Sequence, residues 1–343
     1  MGVGVRVENL RKVYTTPPPM VAGAAGFGML GGGRGKSGAT PGARKVEVVA
    51  LEGLTLEVHP GEIFGLLGPN GAGKTTTLGI LTTRVRPTGG SAWIGEYDVW
   101  ANQVEAKRLI GVVQQRPNLD FALTAREILT FHGAYYGQQS AERNRRANEL
   151  LERFQLTDRA DQLVRGFSGG MMQRLSIARA MMHDPSVLFL DEPSTGLDPQ
   201  TKLMLWDIVR QYNRSGKTVV ITTHNMEEAD TLCHRIAIID HGRIIALGTP
   251  TELKAAVPGG YLLRLRFSHT SPSLLDHLRI LPGVTEVKPD GASVDLYADR
   301  GGALMASIVQ VVTESGSELH DVSISEPSLE NLFLHHTGRS LRQ

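Results

Sequence analysis

Eight residues, Gly68-Pro69-Asn70-Gly71-Ala72-Gly73-Lys74-Thr75, limit the fold of this chain more than any others. They follow an apolar run, Ile63-Phe64-Gly65-Leu66-Leu67, and precede a predicted helix over Thr76–Thr82. A strand, a glycine-rich loop and a helix in that order form a phosphate-binding loop of an α/β sheet. Its glycines let successive backbone amides turn toward phosphate oxygens, and the helix N-terminus adds partial positive charge. Lys74 is placed to reach the β and γ phosphates, and Thr75 to offer a hydroxyl to Mg2+. Asn70, Gly71, Gly73 and Thr76 complete the candidate nucleotide contacts.

A second apolar run, Val187-Leu188-Phe189-Leu190, delivers Asp191 and Glu192 to the C-terminal edge of a strand, where α/β sheets bind ligands. Adjacent carboxylates repel. The pair makes chemical sense if Asp191 faces the metal ion and Glu192 the attacking water, with Glu192 as general base. Between the two motifs stands Ser168-Gly169-Gly170, at the head of a predicted helix over residues 171–183 that Asp184-Pro185 ends. Its hydroxyl and the amides after it suit an anion, and a simple N-cap is the alternative.

From Ile63 to about Thr249 apolar strands alternate with helices, Val219–Thr222 among the strands, which predicts a parallel sheet with covering helices. Val3–Glu8 reads as an edge strand and Lys45–Val58 as strand-turn-strand. Residues 15–44 between them, rich in Gly, Pro and Ala, read as a flexible hairpin insertion. Two glycine motifs inside it, Gly26–Gly31 and Gly35-Lys36-Ser37, lack the strand and helix context and are set aside. Residues 116–165 read as a helical subdomain with charged outer faces. After Gly248-Thr249-Pro250 the order strand, helix, strand, strand, helix, strand suggests a ferredoxin-like module.

The balance of 36 basic and 35 acidic residues gives a net charge of +1, with no concentrated basic patch, which disfavours a nucleic-acid role. A single cysteine, Cys233, excludes an internal disulfide framework, fits a reducing compartment, and reads as a small buried hydrophobe. His335-His336 are neighbours on a predicted helix and point different ways, so they are not read as a metal pair. The first residues do not read as a signal peptide. The longest uncharged stretch, Thr15 to Gly33, holds three consecutive prolines, so no membrane-spanning helix is expected.

With the phosphate loop, Phe167-Ser168-Gly169-Gly170-Met171 and Asp191-Glu192 in that order, the chain resembles the ATP-binding subunit of an ABC transporter over about residues 3 to 250. Phe167 and Met171 depart from the commonest form of that family's signature motif, while the serine and both glycines remain. The resemblance implies ATP and Mg2+ as cofactors, with Ser168 and Gly170 contacting the γ-phosphate. It also assigns Gln115 to sensing Mg2+ and the attacking water, with the adjacent Gln114 leaving the register open by one. His224 matches the switch histidine, Asp198 the loop acid that crosses a dimer interface, and Tyr14 the aromatic that stacks on adenine.

The fold class implied is α/β. A P-loop ABC ATPase core would span residues 1–250, with a mixed sheet, N-terminal antiparallel strands and the helical subdomain, followed by a small α+β domain at 251–343. The tail, Glu326-Pro327-Ser328-Leu329-Glu330-Asn331-Leu332-Phe333-Leu334 and then Thr337-Gly338-Arg339, resembles daunorubicin-resistance-type subunits, which pair with ABC-2 type permeases. That likeness implies an exporter motor on the cytoplasmic face of the cell membrane, acting as a dimer with a separate permease. It leaves the cargo open among drugs, lipids, glycans and similar hydrophobic compounds. ABC-type ATPases of chromosomes carry long coiled coils between phosphate loop and signature, and those of translation carry two cassettes; neither pattern is present. A non-catalytic module would lack Glu192, Lys74 or His224, and all three stand in the sequence.

Overall fold

Strands buried on both faces read as unbroken apolar runs, and in the computed structural model they form the centre of the molecule. Residues 2–16, 46–299, 301–315 and 317–338 are described. The chain begins β1 (Val5–Thr16), β2 (Val46–Val58), β3 (Ile63–Leu67), α1 (Lys74–Leu81), β4 (Gly89–Ile94), β5 (Tyr97–Asp98), α2 (Gln103–Leu109) and β6 (Ile110–Val113). It continues through α3 (Ala125–Tyr135), α4 (Ser140–Arg153), α5 (Gly169–Ala180), β7 (Val187–Asp191), α6 (Pro199–Arg214), β8 (Thr218–Thr223) and α7 (Met226–Leu232). Then come β9 (Arg235–Asp240), β10 (Arg243–Gly248), α8 (Pro250–Ala255), β11 (Tyr261–Phe267) and α9 (Pro272–Arg279). The last elements are β12 (Val284–Asp290), β13 (Ser293–Ala298), α10 (Met305–Ser315), β14 (Leu319–Ser325) and α11 (Leu329–Thr337).

The central sheet has the order β10-β9-β3-β8-β7-β6, parallel throughout except for the β10–β9 hairpin. Strand alternation sorts its side chains between two apolar clusters. Phe64, Leu66, Phe189 and Val220 face an antiparallel sheet of order β2-β1-β4-β5. Ile63, Leu67, Leu188, Leu190, Val219 and Ile221 face α3 to α7. A third, antiparallel sheet of order β12-β13-β11-β14 packs Leu263, Leu265 and Phe267 against α9 and α10. Helix α11 does not join that cluster. Its Leu329, Leu332 and Phe333 turn back into the apolar cluster behind the central sheet, where α11 packs on α7 and α8.

Two expectations from the sequence are corrected. Val3–Glu8 is not an edge strand, because β1 lies between β2 and β4, with Arg6 opposite Glu57 on one side and Trp93 on the other. The second neighbour, β4, opens with Gly89-Gly90 and gives little strand signal of its own. Lys45–Val58 is not strand-turn-strand either: Val46–Val58 is one strand. Register shifts against β1 and a positive φ of 73° at Gly53 absorb the irregularity as bulges without ending it. Beyond Thr16, the insertion read at 15–44 and the two glycine motifs inside it lie outside the described residues.

Candidate active site

The phosphate loop joins β3 to α1, so its amides stand at the C-terminal edge of the central sheet. Gly73 sits at φ +109°, and a Cβ there would meet Leu51 Cδ2 at 2.7 Å and the Ala50 carbonyl oxygen at 2.8 Å. Only glycine lets the loop pass this closely under β2. The loop borders a cavity of about 260 Å³ lined by Asn70, Gly71, Gly73, Lys74, Thr75 and Thr76, with Gln115 and Glu192 opposite.

Lys74 is buried, and its ammonium donates to the carbonyl oxygens of Gly68 (2.7 Å) and Pro69 (3.1 Å) while standing 3.4 Å from Glu192 Oε1. Burial lowers its pKa, and the Glu192 carboxylate opposes that shift. Strands β7 and β8 run in parallel register with Asp191 opposite Thr222, which brings the Thr222 hydroxyl to Asp191 Oδ1 at 2.5 Å. Thr75 Oγ1 reaches the same oxygen at 3.4 Å. Burial raises the pKa of Asp191 and the neighbouring Glu192 charge adds to this, against the hydrogen bonds from Thr222 and Thr75 and the charge of Lys74.

Glu192 occupies the left-handed region at φ +46°, a strained conformation for a residue with a side chain, held by its N–H donating to the Thr222 carbonyl at 3.0 Å. Its side chain gathers the site. Gln115 Nε2 donates to Glu192 Oε2 at 2.9 Å, His224 Nδ1 lies 3.1 Å from that oxygen, and Thr195 Oγ1 donates to it at 3.4 Å. Of the two adjacent glutamines, Gln115 makes this contact. Thr222 and Thr195 were not singled out from the sequence. A threonine pair closing an apolar strand, Thr222-Thr223, was the available signal.

Ser168, Gly170, Asp198 and Tyr14 stand apart from this cavity. Ser168 is the exposed N-cap of α5, its Oγ accepting from the Met171 N–H at 3.3 Å. Gly170 faces the start of α6, where a Cβ would lie 3.6 Å from Thr201 Cγ2. Asp198 caps α6 by accepting from the Thr201 N–H (2.9 Å) and hydroxyl (2.6 Å). Tyr14 lies on β1 opposite Val48, 37% exposed, with Lys12 Nζ 4.8 Å from its ring, and does not line the phosphate-loop cavity. Among the other titratable groups, Cys233 is buried, which raises its thiol pKa. His335 Nε2 pairs with Glu286 Oε2 at 2.7 Å.

A family model described as ABC transporter matches residues 51–195, from β2 to just beyond Glu192. Over 294 residues the chain is 39% identical to the linearmycin resistance ATP-binding protein of Bacillus subtilis, covering 85% of this chain and 94% of that one. It is 41% identical over 295 residues to the daunorubicin/doxorubicin resistance ATP-binding protein of Streptomyces peucetius, covering 84% and 88%. The chain belongs to the ATP-binding subunits of ABC transporters. An ATP-binding cassette solved as a post-hydrolysis dimer with ADP and phosphate superimposes with a TM-score of 0.60 at 26% identity, covering 71% of this chain and 98% of that one. This ABC subunit is accordingly an ATPase, converting ATP and water to ADP and phosphate.

Proposed function

We propose that this ABC subunit is the motor of a membrane exporter, in which two copies close on ATP and a separate permease of ABC-2 type moves the cargo. One observation carries the dimeric reading. Lys74, Gln115 and Glu192 line one cavity, Asp191 accepts from Thr75 beside it and His224 lies 3.1 Å from Glu192, while Ser168 and Gly170 stand outside this group at the start of α5, with Ser168 exposed. Amides and a hydroxyl at that start suit the γ-phosphate of ATP bound to a second copy. Asp198, at the adjoining start of α6, then lies on the same face and suits the dimer contact.

Glu192 serves as general base, oriented by Gln115 and His224, and Lys74 binds the phosphates. The fit to Mg2+ rests on the donor set: the Thr75 hydroxyl and the Asp191 carboxylate are hard oxygen ligands, and burial disfavours the charged form of Asp191 unless a cation compensates it. Thr75, Gln115 and Asp191 would hold the ion, which when bound draws charge from the phosphate oxygens. Tyr14 remains the candidate for stacking on adenine.

We assign residues 1–250 to the ATP-binding unit, with 116–165 as its helical subdomain, and 251–343 to an accessory unit that has its own apolar cluster. Among the described residues no helix is long and apolar enough to cross a membrane. The span is assigned to the permease, with this chain peripheral on the cytoplasmic face. The resistance proteins named above support a drug or similar hydrophobic compound as cargo.

Mixing variants tests the dimer. Lys74→Ala and Ser168→Arg chains, each inactive alone, form one intact composite site when combined. ATPase activity should return in the mixture, and no return overturns the two-chain site. Purification from native membranes should bring down an ABC-2 type permease; a different membrane partner overturns that assignment.

A further inference from the structure

Helix α6 begins at the loop ending in Asp198, and α7 begins immediately after His224. The N-terminal half of α6 and the first turn of α7 are tied together by four side chains. Lys202 Nζ on α6 donates to Glu227 Oε2 on α7 at 2.6 Å and lies 4.6 Å from the centre of the Trp206 ring. Trp206 Nε1, also on α6, donates to Glu228 Oε1 at 3.2 Å, and Glu228 is fully buried. On the α7 side, Asn225 Oδ1 accepts from the Glu228 N–H at 3.2 Å, and the Asn225 N–H donates to Thr223 Oγ1 at 2.9 Å. His224 thus lies between the end of β8 and a helix turn whose position is fixed from α6.

The two ties differ in strength. Glu227 is 70% exposed in its side chain, and such an ion pair contributes about 0 to 1 kcal/mol. The Trp206–Glu228 bond is buried, and among the described residues the other Glu228 oxygen has no hydrogen-bond partner. Losing the indole donor would leave a buried carboxyl group without compensation, so this bond is the anchor. Beside the clamp, Leu197, Lys202, Trp206, His224 and Asn225 line a cavity of about 600 Å³. The loops carrying Asp198 and His224 therefore face each other across open space, with the clamp at its base.

We propose that Trp206, assisted by Lys202, is a positioning residue for ATP hydrolysis. It fixes the first turn of α7 so that His224 stays on Glu192, and it transmits displacement of the Asp198 loop to His224. This rests on the reading of His224 and Glu192 as catalytic groups.

The test is steady-state ATPase kinetics on Trp206→Phe, which keeps the ring bulk and removes the donor, on His224→Ala, and on the double variant. Trp206→Phe should lower kcat by about ten- to a hundredfold, with KM for ATP within about twofold of the parent. The double variant should be no slower than His224→Ala, because the clamp acts through that histidine. If Trp206→Phe does not fold, Lys202→Met should show the same pattern at about two- to threefold. A double variant whose losses multiply, or a raised KM with unchanged kcat, overturns the clamp while leaving the catalytic reading in place. Parental activity in His224→Ala overturns both.

Discussion

Glu192 Oε1 stands 3.4 Å from Lys74 Nζ, with the side chains only 6% and 4% exposed. The candidate phosphate-binding cation and the candidate base therefore neutralise each other in a buried site, and each holds the other in position. Glu192→Gln keeps the shape and the hydrogen-bonding oxygen but removes the base. ATP turnover should fall by roughly 10² to 10⁴, while nucleotide binding by titration persists. Unchanged phosphate release would remove Glu192 from that role.

Gly73→Ala places a methyl group against Leu51 Cδ2 and the Ala50 carbonyl at a φ that disfavours any side chain. The strain, about 1 to 3 kcal/mol, falls on the loop that presents amides to phosphate. ATP affinity should drop about tenfold or more, with the melting temperature much less affected. Parental affinity in a fluorescent-nucleotide titration would mean that the loop yields freely.

His132 on α3 has its pKa pushed down to about 4 by burial, with the charges of His183 and Arg179 adding to the effect. The folded protein keeps it neutral, while the unfolded chain takes up a proton near pH 6.5. Stability is therefore lost as pH falls from about 6.5 toward 4, by up to about 1.4 kcal/mol per pH unit from this residue. Urea unfolding at pH 7 and pH 5 should show a smaller acid loss in His132→Gln than in the parent. Equal losses in the two proteins would refute the assignment.

Phe333 on α11 is completely buried in the cluster behind the central sheet. Phe333→Ala should cost about 3 to 5 kcal/mol, read by denaturant unfolding of the ATPase core through loss of nucleotide binding. An unchanged midpoint for that loss would mean that α11 does not stabilise the core.

The parallel strands were legible because burial on both faces keeps their central positions apolar: Ile63–Leu67 matches β3 residue for residue, and β7 and β8 extend the predicted run by one and two residues, polar ones at the strand ends. The site followed, since Asp191, Glu192, Gln115 and His224 lie at or just beyond the ends of neighbouring strands in one sheet. What the sequence hid is tertiary. The interior position of β1 depends on a glycine-opened partner, β4, far along the chain. The bonds from Thr222 to Asp191 and from Trp206 to Glu228 depend on which strand or helix lies alongside, and composition carries no trace of that.

The return of α11 to the central cluster also sets a timetable for synthesis. Leu329, Leu332 and Phe333 are made after the whole nucleotide site, so a nascent chain that already carries Lys74, Glu192 and His224 still has an open apolar groove beside α7 and α8. At ~5–20 residues per second, the stretch from Ala255, the end of α8, to Leu329 takes on the order of 4 to 15 seconds to appear. Throughout that interval the apolar side chains beside α7 and α8 lack their cover, and the docking of α11 is the step that supplies it.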